Sequence, residues 1–402
     1  MQTDVVVGLQ WGDEGKGKIV DLIANNYNAI IRANGGNNAG HSISINDKEY
    51  AVHSLPSGVL QKEMDNIIAP GCVVNPNAIV KEINTLGEDF IGNLFISDRC
   101  PLIMSYHIEE DIKNEKNKGI NSIGTTLKGI GPCYASLKNR DVFFAGDLLN
   151  IENSLLRYSH LEENIIDKIR IELNLYKDLI GKFICDTFSL IQKQELTLLE
   201  GAQATMLDNL YGTYPYVTSS NTIVSSLLSG SSLNHSNVRN VIGVTKAYAT
   251  RVGNGPFITE ETGEIGEKIR IIGKEIGVST GRKRRTGWLD LVQLNYAIQL
   301  NGINQLSIMK SDVLDSFEEI KICIAYQNIE TKQKINYIPF NLELYEPIYQ
   351  IFEGWNTKTY GETNIKNLPQ KLIDYLRFIE TYSNVEIKYI STGPERNQTI
   401  VI

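Results

Sequence analysis

Apolar positions along the chain follow two rhythms. Runs such as Val5-Val6-Val7, Ala29-Ile30-Ile31 and Val241-Ile242-Gly243-Val244 are continuous, the pattern of strands buried on both faces. Between the first two lies Ile19-Val20-Asp21-Leu22-Ile23-Ala24 with helical spacing, so the chain is predicted to open as strand, glycine-rich turn, helix, strand. This alternation predicts an α/β fold, a large and mostly parallel sheet flanked by helices. Further strands are predicted at Leu306-Ser307-Ile308-Met309 and from Ile320 to Tyr326. Over residues 151–199 the period changes. Ile166, Ile169, Leu173, Tyr176, Ile180 and Phe183 are three or four apart, which predicts an inserted helical lobe concerned with packing. No linker, charge block or repeat divides the sequence, so residues 1–402 are expected to form a single domain with inserted lobes.

Composition narrows the class. With 42% apolar and 21% charged residues the chain has ample core, which excludes disorder as a whole-chain description. Its 39 Lys and Arg against 47 Asp and Glu give a net charge of -8, so a generic binder of nucleic acid or of an anionic membrane is not expected. Cys72, Cys100, Cys133, Cys185 and Cys323 are far apart and show no metal-ligand spacing, as expected of buried thiols in a reducing compartment. With no basic leader and no membrane-length apolar run visible, the expected location is cytoplasmic.

The segment Gly12-Asp13-Glu14-Gly15-Lys16-Gly17-Lys18 sits between strand and helix, where small residues let backbone N–H groups and a helix N-terminus meet phosphate oxygens. It is not a standard P-loop. Read through Gly17-Lys18, the pattern GxxxxGK[ST] fails at Ile19; read through Gly15-Lys16, it lacks a glycine at Gln10 and a hydroxyl at Gly17. Without that hydroxyl, Asp13 is the expected hard-oxygen ligand for any Mg²⁺. A tight turn with solvated charges is the plainer alternative.

Six other segments carry candidate chemistry. The loop Gly35-Gly36-Asn37-Asn38-Ala39-Gly40-His41 follows a strand at the end where α/β sheets bind ligands, which makes His41 a candidate proton donor or phosphate contact. Thr125 and Thr126 stand among glycines and suit phosphate, ribose or solvent, while Glu200-Gly201-Ala202-Gln203 and Tyr214 to Asn221 suit a neutral base and a phosphate, or an ordinary polar loop. Arg282-Lys283-Arg284-Arg285 between Gly281 and Gly287 favours a compact anion site over a solvated run or a nucleic-acid patch. Lys310-Ser311-Asp312 ends an apolar run in the Lys-x-Asp form that reads guanine in GTP-binding proteins; paired with a phosphate loop, it points to GTP.

In order along the chain, Gln10 to Lys18, Asn38 to His41, Gly129-Ile130-Gly131-Pro132, Gly212 to Asn221, Arg282 to Trp288 and Ser391-Thr392-Gly393-Pro394 closely resemble the adenylosuccinate synthetase family. The resemblance implies a fold like that of P-loop NTPases and a homodimeric, GTP- and Mg²⁺-dependent ligase. Such an enzyme joins L-aspartate to IMP through 6-phosphoryl-IMP, giving adenylosuccinate, GDP and phosphate on the way to AMP. It also implies Asp13 as general base and metal ligand, His41 as general acid, Lys16 as a third catalytic group and the Gly40 carbonyl as second metal ligand.

By the same likeness GTP would meet the loop from Gly12 to Lys18, with Glu14, Gly15 and Gly17 inside it. Gly40, His41, Ser42, Arg284, Lys310, Ser311, Asp312, Ser391, Thr392 and Gly393 would complete that site. IMP would meet Asp13, Glu14, Gly15, Lys16, Asn38, Ala39, Gly40, His41, Thr126, Gln203, Thr218, Val252 and Arg282, with Arg140 reaching the IMP phosphate of the neighbouring subunit. Aspartate would meet Val278, Ser279, Thr280, Gly281, Arg282 and Arg284. The chain departs from the family pattern at Asn37, Leu127-Lys128, Ala204 and Ser279. Ala204 is expected to crowd a close backbone approach. A GTP-binding switch is the competing class, although a switch has no need of a second anion pocket built from Arg282 and Arg284.

Overall fold

A computed structural model describes residues 1–45, 48–277 and 281–402. Its centre is a ten-stranded sheet. Along the chain its strands are β1 (Gln2–Gly8), β2 (Ala29–Arg32), β3 (Asp65–Ile68), β4 (Asn93–Ser97) and β5 (Ile184–Cys185), followed by β6 (Leu196–Glu200), β7 (Val238–Lys246), β8 (Gln305–Met309), β9 (Ile387–Ser391) and β10 (Thr399–Val401). In space the order is β10-β9-β8-β7-β1-β6-β2-β3-β4-β5. Every neighbouring pair is parallel except β9 with β10. The expected α/β architecture is therefore the observed one, and β1 and β2 are continuous apolar runs because both faces of the sheet are covered.

The first crossover helix, α1 (Lys16–Ile23), follows β1. Ile19, Val20 and Ile23 pack with Val6, Ile30 and Leu198, so the position at which a P-loop needs a hydroxyl is here fully buried core. The expected helical lobe contains helices Ile151–Leu155, Glu163–Ile180 and Thr187–Gln192. Leu173, Tyr176 and Ile180 fill a second core with Ile79 and Leu86. Its helices stop at Gln192, however, and Leu196–Glu200 is β6, inserted between β1 and β2. A segment as short as Leu196-Thr197-Leu198-Leu199-Glu200 does not distinguish a buried strand from a helical turn by period alone, which is why the lobe is expected to run too far.

Ile320 to Tyr326 is a strand as expected, but it belongs to a separate four-stranded sheet with Leu289–Asp290, Lys334–Ile335 and Tyr345–Glu353. Among the described residues no helix is long and apolar enough to cross a membrane. Parallel strands place all their C-terminal ends on one edge. That edge carries the segments after Gly8, Arg32, Glu200, Lys246, Met309 and Ser391, the crevice in which open α/β sheets bind ligands.

Candidate active site

After β1 the backbone is left-handed at Gly12 (φ 87°), Asp13 (φ 59°) and Gly15 (φ 106°). Glu14 ties this turn together. Its Oε1 accepts from the N–H of Gln10 (3.1 Å) and Gly12 (2.9 Å), and its Oε2 from Lys16 Nζ (2.7 Å). Gly17, between the two lysines, has a separate reason. A Cβ there would lie 2.8 Å from the Cβ of His41, so the missing side chain lets α1 lie against the strand His41–Ile45.

Two cavities open on this edge and share one wall formed by Asp13, Lys16, Gly40 and His41. The first also brings together Gly12, Asn38, Ala39, Thr126, Gln203, Thr218, Val252 and Arg282. Asn38 Oδ1 accepts from Gly36 N–H (3.1 Å) and its Nδ2 reaches Thr218 Oγ1 (3.4 Å), which joins the β2 loop to the 213–221 loop. Gln203 has φ 57°, and its buried Oε1 and Nε2 lack partners among the described residues. An unpaired amide of this kind fits a neutral ring that presents a donor beside an acceptor.

The second cavity is lined by Glu14, Gly15, Gly17, Lys18, Ser42, Arg284, Lys310, Asp312, Ser391 and Gly393. Buried Oδ1 of Asp312 has no partner among the described residues, and burial pushes the carboxyl up to about 6. A base with adjacent N–H donors would satisfy it. Lys18 Nζ donates to Ser391 Oγ (2.8 Å), Gly393 O (2.6 Å) and Gln398 O (2.9 Å), and burial pulls the ammonium down to about 7. It straps α1 to the loop after β9.

Some expected residues lie elsewhere. Glu14 and Gly15 line only the second cavity and Gly12 only the first. Ser311 and Thr392 are fully buried beneath the second cavity, their hydroxyls donating to Ser391 O (3.0 Å) and Glu362 O (2.7 Å). Gly281 is exposed and lines neither cavity. Arg140, the cap of helix Ile130–Asn139, is also exposed and lines neither. Val278, Ser279 and Thr280 fall outside the described residues. The crowding expected of Ala204 is absorbed by Gly8: a Cβ on Gly8 would lie 2.8 Å from the Ala204 methyl and 2.8 Å from Lys16 Nζ.

The basic run divides by strand-like alternation. Arg282 faces the first cavity, its Nη2 donating to Gly124 O (3.1 Å), and Arg284 the second, while Lys283 is exposed and Arg285 Nε pairs with Glu260 (2.7 Å). Arg284 Nε also meets Asp13 Oδ2 at 2.8 Å.

The roles of two buried carboxylates escape sequence reasoning, although Glu200 stands in a candidate segment. Glu200, the last residue of β6, pairs with His41 Nδ1 and accepts from Ser57 Oγ (2.5 Å) and Ser57 N–H (2.9 Å). Burial alone would raise its carboxyl, but His41, Arg32 and Ser57 outweigh burial and hold it at about 2. Burial lowers the proton affinity of the His41 ring, and Glu200 opposes that. With Nδ1 committed to Glu200, the ring nitrogen left for a ligand is Nε2, which is buried and has no partner among the described residues. An acid closing a buried strand just before Gly201 was the legible signal. Glu275, in the loop after helix Glu264–Ile272, binds Lys246, Lys310 and Arg284, and nothing in its local sequence distinguishes it from a solvated loop acid.

The donor set on the shared wall fits a magnesium ion. Mg²⁺ keeps water and substrate phosphate in its shell and needs only one or two protein oxygens. Asp13 offers a side chain 23% exposed beside Gly40, and no group of three or more His, Cys, Asp or Glu able to build an all-protein cage occurs among the described residues.

Comparison with known proteins gives the family. The sequence profile of the family described as adenylosuccinate synthetase matches residues 5–400. Adenylosuccinate synthetase of Buchnera aphidicola subsp. Schizaphis graminum is 43% identical over an alignment of 425 positions that covers 100% of this chain and 99% of that protein. The fully ligated adenylosuccinate synthetase of Plasmodium falciparum superposes with a TM-score of 0.93 at 37% identity, covering 100% of both chains. Succinoaminodeoxyadenylate synthetase of cyanophage S-2L, bound to dGMP and dATP, shares the fold alone, with a TM-score of 0.66 at 17% identity over 100% of this chain and 95% of that one. The chain therefore belongs to the adenylosuccinate synthetase family, ligases that join aspartate to IMP in purine nucleotide synthesis.

Proposed function

We propose that the protein drives this ligation with GTP, by way of 6-phosphoryl-IMP, and that IMP occupies the first cavity and GTP the second. One observation carries the reading: the cavities meet at Asp13, Lys16, Gly40 and His41, so a phosphoryl group passing between ligands crosses the groups best suited to it.

The chemistry requires such a crossing. The C6 oxygen of IMP is a poor leaving group, and attack by an amine would have to expel oxide. Asp13 takes the N1 proton, charge moves to O6, and O6 attacks the γ-phosphorus of GTP as its bond to the bridging oxygen breaks and GDP leaves. Lys16 and the backbone amides of the turn neutralise the spreading negative charge, and Nε2 of protonated His41 donates to the phosphoryl oxygens. Mg²⁺ held by Asp13 and Gly40 would add electrostatic stabilisation of the phosphates. Aspartate then displaces phosphate from C6, its carboxylates held by the segment from Val278 to Arg284. Asp312 and Lys310 read the guanine. Arg140, exposed and lining neither cavity of its own chain, suits a contact to the IMP phosphate across a homodimer, and the setting is cytoplasmic.

Incubation with IMP, GTP, Mg²⁺ and L-aspartate, followed by ultraviolet absorbance and phosphate release, tests the reading. Product is expected only when all four are present. GTP hydrolysis indifferent to IMP and aspartate would favour a switch instead. His41→Asn is expected to lose several kcal/mol of transition-state stabilisation, about 3, at nearly unchanged IMP affinity. Loss of IMP binding with normal chemistry in the remaining complex would make His41 a binding residue.

A further inference from the structure

Glu275 lines neither cavity, yet five hydrogen bonds converge on its wholly buried carboxylate. Oε1 accepts from Lys246 Nζ (3.0 Å), Lys310 Nζ (2.9 Å) and the Tyr248 hydroxyl. Oε2 accepts from Lys246 Nζ (2.9 Å) and Arg284 Nη1 (2.5 Å). Lys246 is as buried as Glu275, and that pair alone would neutralise the charge. The other two cations belong to the second cavity.

Those two cations point in different functional directions. Lys310 follows β8 in a left-handed conformation (φ 60°), two residues before Asp312, whose unpaired Oδ1 marks the base end. A further bond to Gly273 O (2.7 Å) fixes its ammonium. Arg284 continues through Nε to Asp13 Oδ2 (2.8 Å), on the wall where the cavities meet. A continuous chain of charge-assisted bonds therefore runs Lys310, Glu275, Arg284, Asp13. Lysine and arginine carry many rotamers, and holding both at one carboxylate before ligand arrives removes an ordering cost from binding.

We infer that Glu275 is a positioning residue that holds Lys310 at the base end and Arg284 at the reacting end as one unit, so that recognition of the nucleotide and alignment of Asp13 are set together. The inference rests on the GTP-dependent reading above. It assigns Glu275 no contact with substrate.

The test is steady-state kinetics of Glu275→Gln, with folding checked by thermal unfolding. The KM for GTP rises about tenfold and kcat falls, while the KM for IMP stays within about twofold. A double-mutant cycle separates positioning from general support. Lys310→Ala and Arg284→Lys lower kcat/KM non-additively in the native background and additively in Glu275→Gln, because the shared anchor is gone. Additivity in the native background, an unchanged GTP KM in the folded variant, or equal rises in the KM of GTP, IMP and aspartate would each overturn the inference.

Should Glu275→Gln not fold, Tyr248→Phe removes one donor to Oε1 at nearly constant shape. It raises the GTP KM about threefold at unchanged IMP KM, and no change overturns the inference. A native enzyme that turns over without GTP defeats the functional reading instead, and the same cycle, run on whichever nucleoside triphosphate supports turnover, still decides the role of Glu275.

Discussion

Glu200 and Glu275 are both fully buried carboxylates that serve the same active edge, and they are built in opposite ways. Glu200 ends a central strand, so the sheet fixes its backbone and few partners suffice: the His41 ring and the Ser57 hydroxyl and N–H. Glu275 stands on a loop and gains its fixed place from Lys246, Lys310, Arg284 and Tyr248. Burial would raise Glu275, yet those cations hold its carboxyl well below the usual range. The partners differ in kind as well. An imidazole exchanges its proton near neutral pH, which suits the proposed donation to a phosphoryl oxygen, whereas the arginine at Glu275 keeps its charge, which suits the proposed placement. Rigid backbone supports the titrating group; a network of cations supports the positioning group.

The largest expected effect falls on Asp13, which lies in both regions through Arg284 and through the wall shared with His41. Asp13→Asn should lower adenylosuccinate formation by about 10³-fold or more, and a variant with near-native turnover would remove Asp13 as the base. Next comes Glu200→Gln, which sharpens the comparison directly. Loss of its charge lowers the proton affinity of His41, so kcat should fall about tenfold to a hundredfold and its alkaline limb should move to lower pH. A Glu200→Gln profile that falls in height without shifting would mean that Glu200 orients the ring and does not tune it.

A smaller effect is expected at the base end. Asp312 titrates at about 6 because burial disfavours its charge, and guanine recognition needs the carboxylate. The kcat/KM for GTP should therefore hold above that pH and fall by at most about tenfold per pH unit below it, a dependence absent from Asp312→Asn. An identical acid limb in that variant would assign the titration elsewhere. The smallest effect belongs to Ala204→Gly, which removes a buried methyl packed over Gly8. About 1 kcal/mol of stability should be lost in thermal or denaturant unfolding, with turnover changed less than about twofold. A large loss of turnover would show that the methyl shapes the site.

Much of the architecture was legible because its causes are local. The continuous runs of β1 and β2, the helical rhythm of α1 and the left-handed glycines between them depend on neighbours a few residues away. The Lys-x-Asp after β8 is of the same kind. β6 falls within the expected helical lobe because five residues, three of them leucine, carry no decisive period, and the side chains of Ser311 and Thr392 are buried and bonded to Ser391 O and Glu362 O.

By itself, then, the sequence determined the α/β class, the glycine-rich turn after β1, and the segments whose chemistry meets at one edge of the sheet. Only the tertiary structure decided which carboxylate holds which cation. His41 and Glu200 are 159 residues apart, and Asp13 and Arg284 271 apart. Such pairs are selected by strand order and register across the whole sheet, and by which groups lose water together when the core closes; neither is written in any local window of the chain.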